Sequence, residues 1–476
     1  AAAEGSPAPV SSPEALRARF DASSAALPVR EVLPDVVAAL GRAANAVLEA
    51  PPGAGKTTAL PLALLLDAQW LVEKEKIVVL EPRRLAARAA ASRMASMLGE
   101  KVGETVGYTV RFDSKVSKRT RVEVVTEGVL ARRLLSDPAL EGVACVVFDE
   151  FHERSLDADL CLALCLQAQE LLRPESLRLV VMSATLGSEA QRVAALLGKG
   201  AAFGGEGAAP VVTSEGKSYP VRVEYARQTP SAKQRGAVED AVAAAVLEAL
   251  SSCEGDALVF LPGAAAIRGV RERLERAGCA ARVMMLHGTL STPAEQDEAI
   301  NGARSGERRV VLATPVAESS LTVKGVRIVV DSGLARAPVY SSARGMEVLL
   351  TEEVAVQNAD QRAGRAGREA SGVCFRLWTP ANHARRLERP VPEIQRADLA
   401  PLALALAAWG ETDVDSFAWL DRPREEALCE AAELLRRLGA LGGGATGGGT
   451  SALGDALAAT PAHPRLAAML AWGAAA

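Results

Sequence analysis

The sequence is poor in the residues that build metal clusters and disulfide frameworks. It has four histidines and seven cysteines in 476 residues, and no two cysteines form a CxxC pair. Cys161 and Cys165 stand four residues apart on an apolar helical segment, a spacing that favours core packing over metal binding. A zinc site is therefore not expected, and scattered free cysteines are typical of a reducing compartment.

Long apolar runs and a strong charge of one sign are also lacking. No stretch approaches the ~18 uncharged apolar residues of a membrane span, so we expect a soluble protein. The formal net charge of −4 argues against a generally basic nucleic-acid coat protein, but it leaves room for a local basic groove. With 49% hydrophobic and 24% charged residues, the composition is that of a globular protein, and the length predicts two to four domains.

What the sequence does contain is a phosphate-binding loop. The apolar Val47-Leu48 leads into a Pro/Gly turn and then into a segment with helical spacing, which is the order strand, loop, helix. Lys56 would reach the β- and γ-phosphates, and the Thr57 hydroxyl would ligate Mg²⁺. The opening glycine of the usual motif is Ala50, and an ordinary strand-to-helix turn is the alternative. The candidate nucleotide-binding residues of this loop are Pro52, Gly53, Ala54, Gly55, Lys56, Thr57 and Thr58.

The chain around this loop alternates short β-branched runs with helical segments, the pattern of buried parallel strands with crossover helices. The first block has strands at Val47-Leu48, Ile77–Leu80, Val122–Val125, Val143–Phe148 and Leu177–Met182. The second block has strands at Ala257–Leu261, Arg282–Leu286, Val310–Leu312, Val326–Val330 and Val373–Leu377. Each block predicts a doubly wound α/β domain, with its ligand at the carboxyl ends of the strands.

Composition shifts suggest where the domains begin and end. We expect a flexible tail over residues 1–26, a first α/β lobe over 27–208 and a second over 209–382. From about Ala381 the strand pattern stops and amphipathic helical segments take over, the last of them beginning near His463. The Gly-rich stretch Leu441–Thr450 predicts a hairpin tip, because no Lys-Ser/Thr follows it.

Two adjacent carboxylates end the strand Val143–Phe148. Asp149 and Glu150 would be costly at a buried sheet edge without a cation. Beside a phosphate loop, Asp149 would hold Mg²⁺, mostly through water, and Glu150 would orient and deprotonate the attacking water. The alternative is an acidic cap on the helix that follows.

A third candidate feature is the segment 361–368, QRAGRAGR. Its three arginines recur every third residue between small residues, which predicts one basic helical face. Such a face is either a set of phosphate-binding groups or a solvated charge stripe. Its place in the second α/β block favours arginine fingers that neutralise γ-phosphate charge in the transition state.

Taken together, the ordered motifs resemble those of superfamily 2 helicases of the DEAH/RHA group, most closely the HrpB branch. They read APPGAGKTT, EPRRLAARAA, TEGVL, DEFHERSLDADL, SATL, LVFLPG, ATPVAESSLTV, VVDSGLAR and QRAGRAGR across residues 50–368. DEFH in place of DEAH, with the ERSLDADL tail, points to HrpB. The resemblance implies two RecA-like lobes with ATP and Mg²⁺ in the cleft between them. It also implies a winged-helix-like domain over 383–458, followed by the start of a truncated helical bundle over 459–476.

The resemblance also implies roles for single residues. The catalytic set would be Lys56, Asp149, Glu150, His152, Gln361, Arg365 and Arg368, with His152 coupling the lobes through Gln361. Ser183 and Thr185 would link nucleotide state to strand binding, and Arg93 and Asp331 would contact the nucleotide. The nucleic-acid backbone would be held by Arg83, Arg84, Arg111, Phe112, Thr126, Gly128, Thr314 and Thr322. A strand-separating hairpin is expected at Val339–Val354.

Three positions depart from the family pattern. Pro315 stands where asparagine is usual and has neither an amide side chain nor a backbone N–H, which puts one nucleic-acid or inter-lobe contact in question. Ser319 stands where threonine is usual. Leu334 replaces the base-stacking aromatic of eukaryotic members and leaves Arg93 to stack on one side of the base. We therefore predict broad NTP use.

The expected function is NTP-driven 3′→5′ translocation on single-stranded RNA, with single-stranded DNA left open and protein partners unspecified. One alternative is an RNA-stimulated NTPase that remodels ribonucleoprotein without unwinding. The other is a non-enzymatic RNA-binding scaffold, which only Pro315 favours. A bacterial-type cytoplasm is expected, and an organelle such as a plastid stays open.

Overall fold

The computed structural model describes residues 12–173, 176–184, 187–199, 207–216, 219–231, 234–287, 291–302, 307–318, 323–341, 344–411, 413–442 and 449–475. They form two compact units. The first unit contains the described residues up to Gly216 and those from Leu399 onward, and the second contains those between. None of the described helices is both long and apolar enough to cross a lipid bilayer.

The first unit is built on a sheet of eight described strands. They are β1 (Asn45–Glu49), β2 (Lys76–Leu80), β3 (Val106–Val110), β4 (Asp113–Lys115), β5 (Val122–Val125), β6 (Val143–Phe148), β7 (Arg178–Ser183) and β8 (Val211–Thr213). Their order across the sheet is β4-β3-β5-β2-β6-β7-β1-β8, and every pairing is parallel except that of β3 with β4. All six residues of β6 are buried, as its unbroken apolar sequence predicts.

Seven helices of the first unit precede Gly216 in the described residues. They are α1 (Pro13–Ser24), α2 (Leu33–Arg42), α3 (Lys56–Asp67), α4 (Arg84–Met97), α5 (Glu127–Ser136), α6 (Leu156–Leu171) and α7 (Ser188–Lys199). Leu60, Ile77 and Met94, from α3, β2 and α4, share one buried core, which fixes the helices against the sheet. The Ser155 hydroxyl caps α6 by accepting a hydrogen bond from the Ala158 N–H at 3.1 Å.

The second unit is built on a sheet of six parallel strands and a separate hairpin within the described residues. The strands are β9 (Val221–Tyr225), β10 (Asp256–Phe260), β11 (Arg282–Leu286), β12 (Arg309–Ala313), β13 (Val326–Asp331), β14 (Leu334–Ser341), β15 (Met346–Glu353) and β16 (Gly372–Arg376). The sheet order is β11-β12-β10-β13-β16-β9, while β14 and β15 pair antiparallel. The helices are α8 (Ala237–Ser252), α9 (Ala264–Arg276), α10 (Pro293–Asn301), α11 (Val356–Gly364) and α12 (Pro380–His383).

The C-terminal part of the first unit is helical. It contains α13 (Ala400–Trp409), α14 (Glu425–Arg437), α15 (Ala452–Ala459) and α16 (Pro464–Ala475). The Trp409 indole donates a hydrogen bond of 2.5 Å to Gln167 of α6, which ties this segment to the sheet-bearing part. Leu441 and Thr450 form an isolated antiparallel bridge, and residues 443–448 of the predicted hairpin tip lie outside the described residues.

Two of the predicted boundaries are wrong. Residues 13–24, assigned to a flexible tail, form a helix that the Ser12 side chain caps and whose Phe20 is fully buried. This helix was not predicted, because its apolar face is narrow and the surrounding sequence is rich in alanine and serine. The boundary at residue 208 would place β8 in the second lobe, whereas β8 pairs with β1 in the first sheet.

The predicted hairpin is present but longer than expected. It starts at Leu334 instead of Val339, since Leu334 pairs with Glu353 and Ser341 with Met346. Its exposed apolar side chains include Met346 at the tip and Leu349 in the middle of β15. Leu334, which stands where eukaryotic family members have an aromatic residue, lies at the base of this hairpin.

Candidate nucleotide and nucleic-acid site

The loop between β1 and α3 has the backbone that phosphate binding requires. Gly53 and Gly55 both have φ of 89°, a left-handed conformation that favours glycine. Gly55 caps α3, so the first amides of that helix face the loop. A Cβ on Gly55 would lie 2.9 Å from a methyl carbon of Leu27. The sequence order strand, loop, helix is thus realised as a turn open to an anion.

Lys56 and Thr57 contact the two carboxylates that end β6. The Lys56 ammonium lies 3.2 Å from Glu150 Oε1, with both side chains buried. The Thr57 hydroxyl donates a hydrogen bond to Asp149 Oδ2. Burial disfavours the Lys56 charge, but Glu150 and Asp149 outweigh it and raise the pKa of Lys56. The structure therefore brings together the loop and the carboxylates that were predicted separately.

The oxygen atoms of Thr57 and Asp149 fit a hard divalent cation. A hydroxyl and a carboxylate in contact are the protein ligands that Mg²⁺ takes when phosphate oxygens and water complete its shell. Burial raises the pKa of Asp149 to about 6, against the opposing charge of Lys56, and a cation would offset that effect. In the part of the chain that the structure describes, no cluster of three or more His, Cys, Asp or Glu side chains could hold a metal alone.

The turn after Asp149 has unusual backbone geometry. Glu150 has φ of 50° and Arg154 has φ of 48°, and both flank a single 3₁₀ turn, Phe151–Glu153. Left-handed conformations cost non-glycine residues free energy and persist where the surroundings enforce them. The acidic helix cap considered as an alternative is not what forms here, because Ser155 caps α6.

His152 connects this turn to the end of β7. Its Nε2 lies 3.4 Å from Glu150 Oε2, and its Nδ1 lies 3.3 Å from the Ser183 hydroxyl. Ser183, predicted to couple nucleotide state to strand binding, is thus adjacent to a predicted catalytic residue. Thr185 lies outside the described residues.

Sequence reasoning missed Glu81, a buried carboxyl group that directly follows β2. Its Oε1 has no hydrogen-bond partner among the described residues. Burial, together with Asp149 and Glu150, holds the pKa of Glu81 well above its ordinary value, so the neutral form is favoured. The signal was available, because a carboxylate directly after an apolar strand is the same pattern that pointed to Asp149.

The predicted nucleic-acid residues of the first unit follow three adjacent strands. Arg83 and Arg84 follow β2, Arg111 and Phe112 follow β3, and Thr126 and Gly128 follow β5. These strands are parallel neighbours in the order β3-β5-β2, so the six residues share the carboxyl edge of the sheet. Phe112 has φ of 65°, is 84% exposed and lies under the Arg111 guanidinium at 4.8 Å.

Arg83 also makes a contact within the site. It caps α4 and forms an ion pair of 3.1 Å with Glu153 of the 3₁₀ turn. Arg93 lies on the exposed side of α4. The sheet edge of the first unit therefore carries exposed basic and aromatic groups beside a buried acidic cluster.

The second unit gives the arginines of segment 361–368 different environments. Arg362 is fully buried and forms ion pairs with Glu318 at 2.9 Å and Asp331 at 2.8 Å. Arg365 is also buried and donates a hydrogen bond to the Glu318 carbonyl, while Arg368 is half-buried. The expected continuous basic face is therefore wrong for Arg362, because the helix turns it into the core.

The remaining predicted residues of the second unit lie at or after the ends of strands. Asp331 ends β13 and is fully buried against Arg362, and Gln361 is buried on α11. Thr314 follows β12 and caps a short 3₁₀ turn that begins at Pro315, a position that tolerates the missing N–H of proline. Ser319 and Thr322 lie outside the described residues.

The phosphate loop, the strand-end Asp-Glu pair and the basic groups along the same sheet edge together form a candidate nucleotide site beside a candidate nucleic-acid-binding edge. Residues 30–193 match the DEAD/DEAH box helicase family, and residues 241–370 match the helicase conserved C-terminal domain. The chain belongs to the DEAH/RHA helicase family.

Named relatives support this assignment. The chain is 44% identical to the ATP-dependent RNA helicase HrpB of Escherichia coli, over 93% of this chain and 52% of that protein. It is 34% identical to the human ATP-dependent RNA helicase DHX33, over 93% of this chain and 61% of that protein. A crystal structure of the Escherichia coli DEAH/RHA helicase HrpB superposes with a TM-score of 0.84 at 44% identity, covering 94% of this chain and 54% of that one. The chain thus spans just over half the length of these relatives.

Proposed function

We propose that the chain hydrolyses nucleoside triphosphates and uses the cycle to move along single-stranded RNA in the 3′→5′ direction. The observation that carries the proposal is the pair of contacts Lys56–Glu150 and Thr57–Asp149, which join a phosphate loop to candidate catalytic carboxylates. The names of the relatives support RNA as the strand. On the strength of the Escherichia coli relative, we also propose a bacterial-type cytoplasmic location.

The residues of the first unit suggest how hydrolysis would proceed. Lys56 would bind the β- and γ-phosphates, which releases the Glu150 carboxylate to orient a water molecule and accept its proton. Mg²⁺, held by Thr57 and Asp149, would neutralise phosphate charge. We further propose that Arg365 and Arg368 supply positive charge to the γ-phosphate, and that His152 with Gln361 relays the nucleotide state. These roles rest on the family resemblance.

Strand binding would use the carboxyl edge of the first sheet. Arg83, Arg84 and Arg111 offer cations for phosphates, and the exposed ring of Phe112 offers a stacking face. Thr126 and Gly128 begin α5, where backbone amides can donate to phosphate oxygens. Thr314 and Thr322 would make the equivalent contacts from the second unit. Such contacts give affinity without sequence preference.

The nucleotide base would be selected weakly. Arg93 is the proposed stacking group, and Leu334 offers no aromatic ring to complete the stack. A base held on one face and without edge contacts is poorly discriminated, so ATP, GTP and UTP should be used at similar rates.

The test combines hydrolysis with strand displacement. Hydrolysis of ATP should rise on addition of single-stranded RNA, and Lys56→Ala should abolish it. A duplex with a 3′ overhang should be unwound and one with a 5′ overhang should not. RNA-stimulated hydrolysis without unwinding of either duplex would favour the ribonucleoprotein-remodelling alternative. RNA binding without hydrolysis would favour the scaffold.

A further inference from the structure

A buried cluster of charges joins the 3₁₀ turn after Glu150 to the C-terminal segment of the first unit. The cluster is centred on Arg154, whose side chain is 4% exposed. Arg154 holds Asp159 with two hydrogen bonds of 3.0 Å and contacts Glu189 at 3.2 Å. Its fourth contact, 2.8 Å long, is to Asp421, which lies between α13 and α14.

Arg154 also determines how the turn ends. Its backbone is left-handed, and its N–H donates to the Phe151 carbonyl at 3.1 Å. The Glu153 N–H donates to the Glu150 carbonyl at 2.9 Å, so the same turn fixes the backbone of the proposed general base. With left-handed non-glycine residues at both ends, the turn is strained and persists only where its surroundings hold it in place. The ion pairs of Arg154 act as its anchor.

Asp421 is the member of this anchor that comes from the C-terminal segment. It also accepts a hydrogen bond of 2.8 Å from Arg192 on α7, and Arg192 donates to the neighbouring Leu420 carbonyl at 2.8 Å. Burial disfavours the charge of Asp421, but the hydrogen bonds from Arg192 and Arg154 hold its pKa below the ordinary value. Asp421 is therefore a fixed anion held between two guanidinium groups.

We infer that Asp421 is a positioning residue for hydrolysis: by pairing with Arg154, the C-terminal segment holds the turn that carries Glu150 and His152. This inference rests on the proposed NTPase function. It gives the C-terminal segment a role at the nucleotide site that no motif in its sequence indicates. It also assigns Arg154 of the DEFHER motif to the support of the catalytic turn.

The test compares Asp421→Asn with the matched control Asp415→Asn. Asp415 lies in the same segment and forms an exposed ion pair with Arg422. Asp421→Asn keeps the side-chain volume at a partly exposed site, so this variant should fold. An Arg154 variant is less suitable, because it would leave buried carboxylates unpaired. We expect kcat to fall about tenfold, with KM for ATP within about twofold of wild type, because the base is displaced while the phosphate loop is intact. Asp421→Glu, which keeps the charge, should recover most of the loss.

Hydrogen exchange separates this inference from the proposed function. In Asp421→Asn the Glu153 and Arg154 amides should exchange faster, while the Asp149 amide, bonded to the Leu80 carbonyl at 3.0 Å, should not change. This readout holds even if the wild-type chain proves not to hydrolyse ATP, a result that would overturn the proposed function alone. If exchange and kcat of Asp421→Asn equal those of Asp415→Asn, the inference is wrong. An equal loss of protection at Asp149 and across α13 would mean that Asp421 only docks the segment, and this too would overturn it.

Discussion

Replacing Arg362 with methionine should strongly destabilise the second unit. A residue that only bound phosphate would not have this effect on stability. Arg362 is fully buried between Glu318 and Asp331, and its guanidinium lies 5.0 Å from the centre of the Phe260 ring. Burial opposes its charge, but Asp331 and Glu318 outweigh it and raise its pKa. Arg362→Met would leave two buried carboxylates without their cation.

The size of this effect follows from the burial. Removing one partner from a buried ion pair costs about 3–5 kcal/mol. The second unit extends from Lys217 to Asp398. For a unit of that size each kcal/mol lowers the melting temperature by about 2–4 °C, so a decrease of roughly 6–20 °C is expected.

The assay is thermal unfolding followed by circular dichroism, with hydrogen exchange of β13 to assign the transition to the second unit. The control is Arg385→Met, which removes an exposed arginine from the same unit. The control should unfold within about 1–2 °C of wild type, since surface substitutions cost little. If Arg362→Met unfolds with the control, the buried ion pairs do not stabilise the unit and the assignment of Arg362 to the core is refuted.

Three further predictions concern the loop, the pH response and the nucleotide. Gly55→Ala should lower the free energy of unfolding by about 1–2 kcal/mol, because φ is positive at Gly55, whereas Gly41→Ala in α2 should raise it by about 0.5–1 kcal/mol. Urea titrations in which both variants shifted this free energy in the same direction would contradict the prediction. Burial disfavours the charge of Glu123, but Arg133 outweighs this effect and lowers the pKa of Glu123 below its ordinary value of 4.5. The Glu123 carboxylate therefore contributes its full stabilisation of the fold above pH 4.5 and loses it as the pH falls through the folded-state pKa. Glu123→Gln should therefore be less stable than wild type at pH 7, with a difference that narrows towards pH 3. A kcat/KM for ATP tenfold or more above that for GTP and UTP would contradict weak base selection.

Much of the α/β framework could be predicted because buried parallel strands have a strong local signal. The strand at residues 143–148 was predicted to the residue, and so was the strand at 282–286. β3 was missed, because Gly107, Tyr108 and Thr109 interrupt its apolar pattern. α1 was missed for a different reason, because its composition resembles that of a disordered tail.

For the candidate site, the sequence predicted which residue types are present but not how they pair. Lys56 and Glu150 are 94 residues apart, and only the sheet order places the ends of β1 and β6 at one edge. The burial of Arg362 could not be predicted either, because the three arginines of its segment look equivalent in sequence. Which of them enters the core depends on Glu318 and Asp331, carboxylates that only the fold brings near.

Glu150 is proposed to act as the general base of an RNA-stimulated NTPase. Steady-state ATP hydrolysis by wild type and Glu150→Gln, each measured with and without single-stranded RNA, provides the test of this role. We expect RNA to stimulate hydrolysis by the wild type, and kcat to fall about 10²–10⁴-fold in Glu150→Gln, with ATP binding retained because Lys56 and the loop remain. Hydrolysis by Glu150→Gln at the wild-type rate would contradict this role.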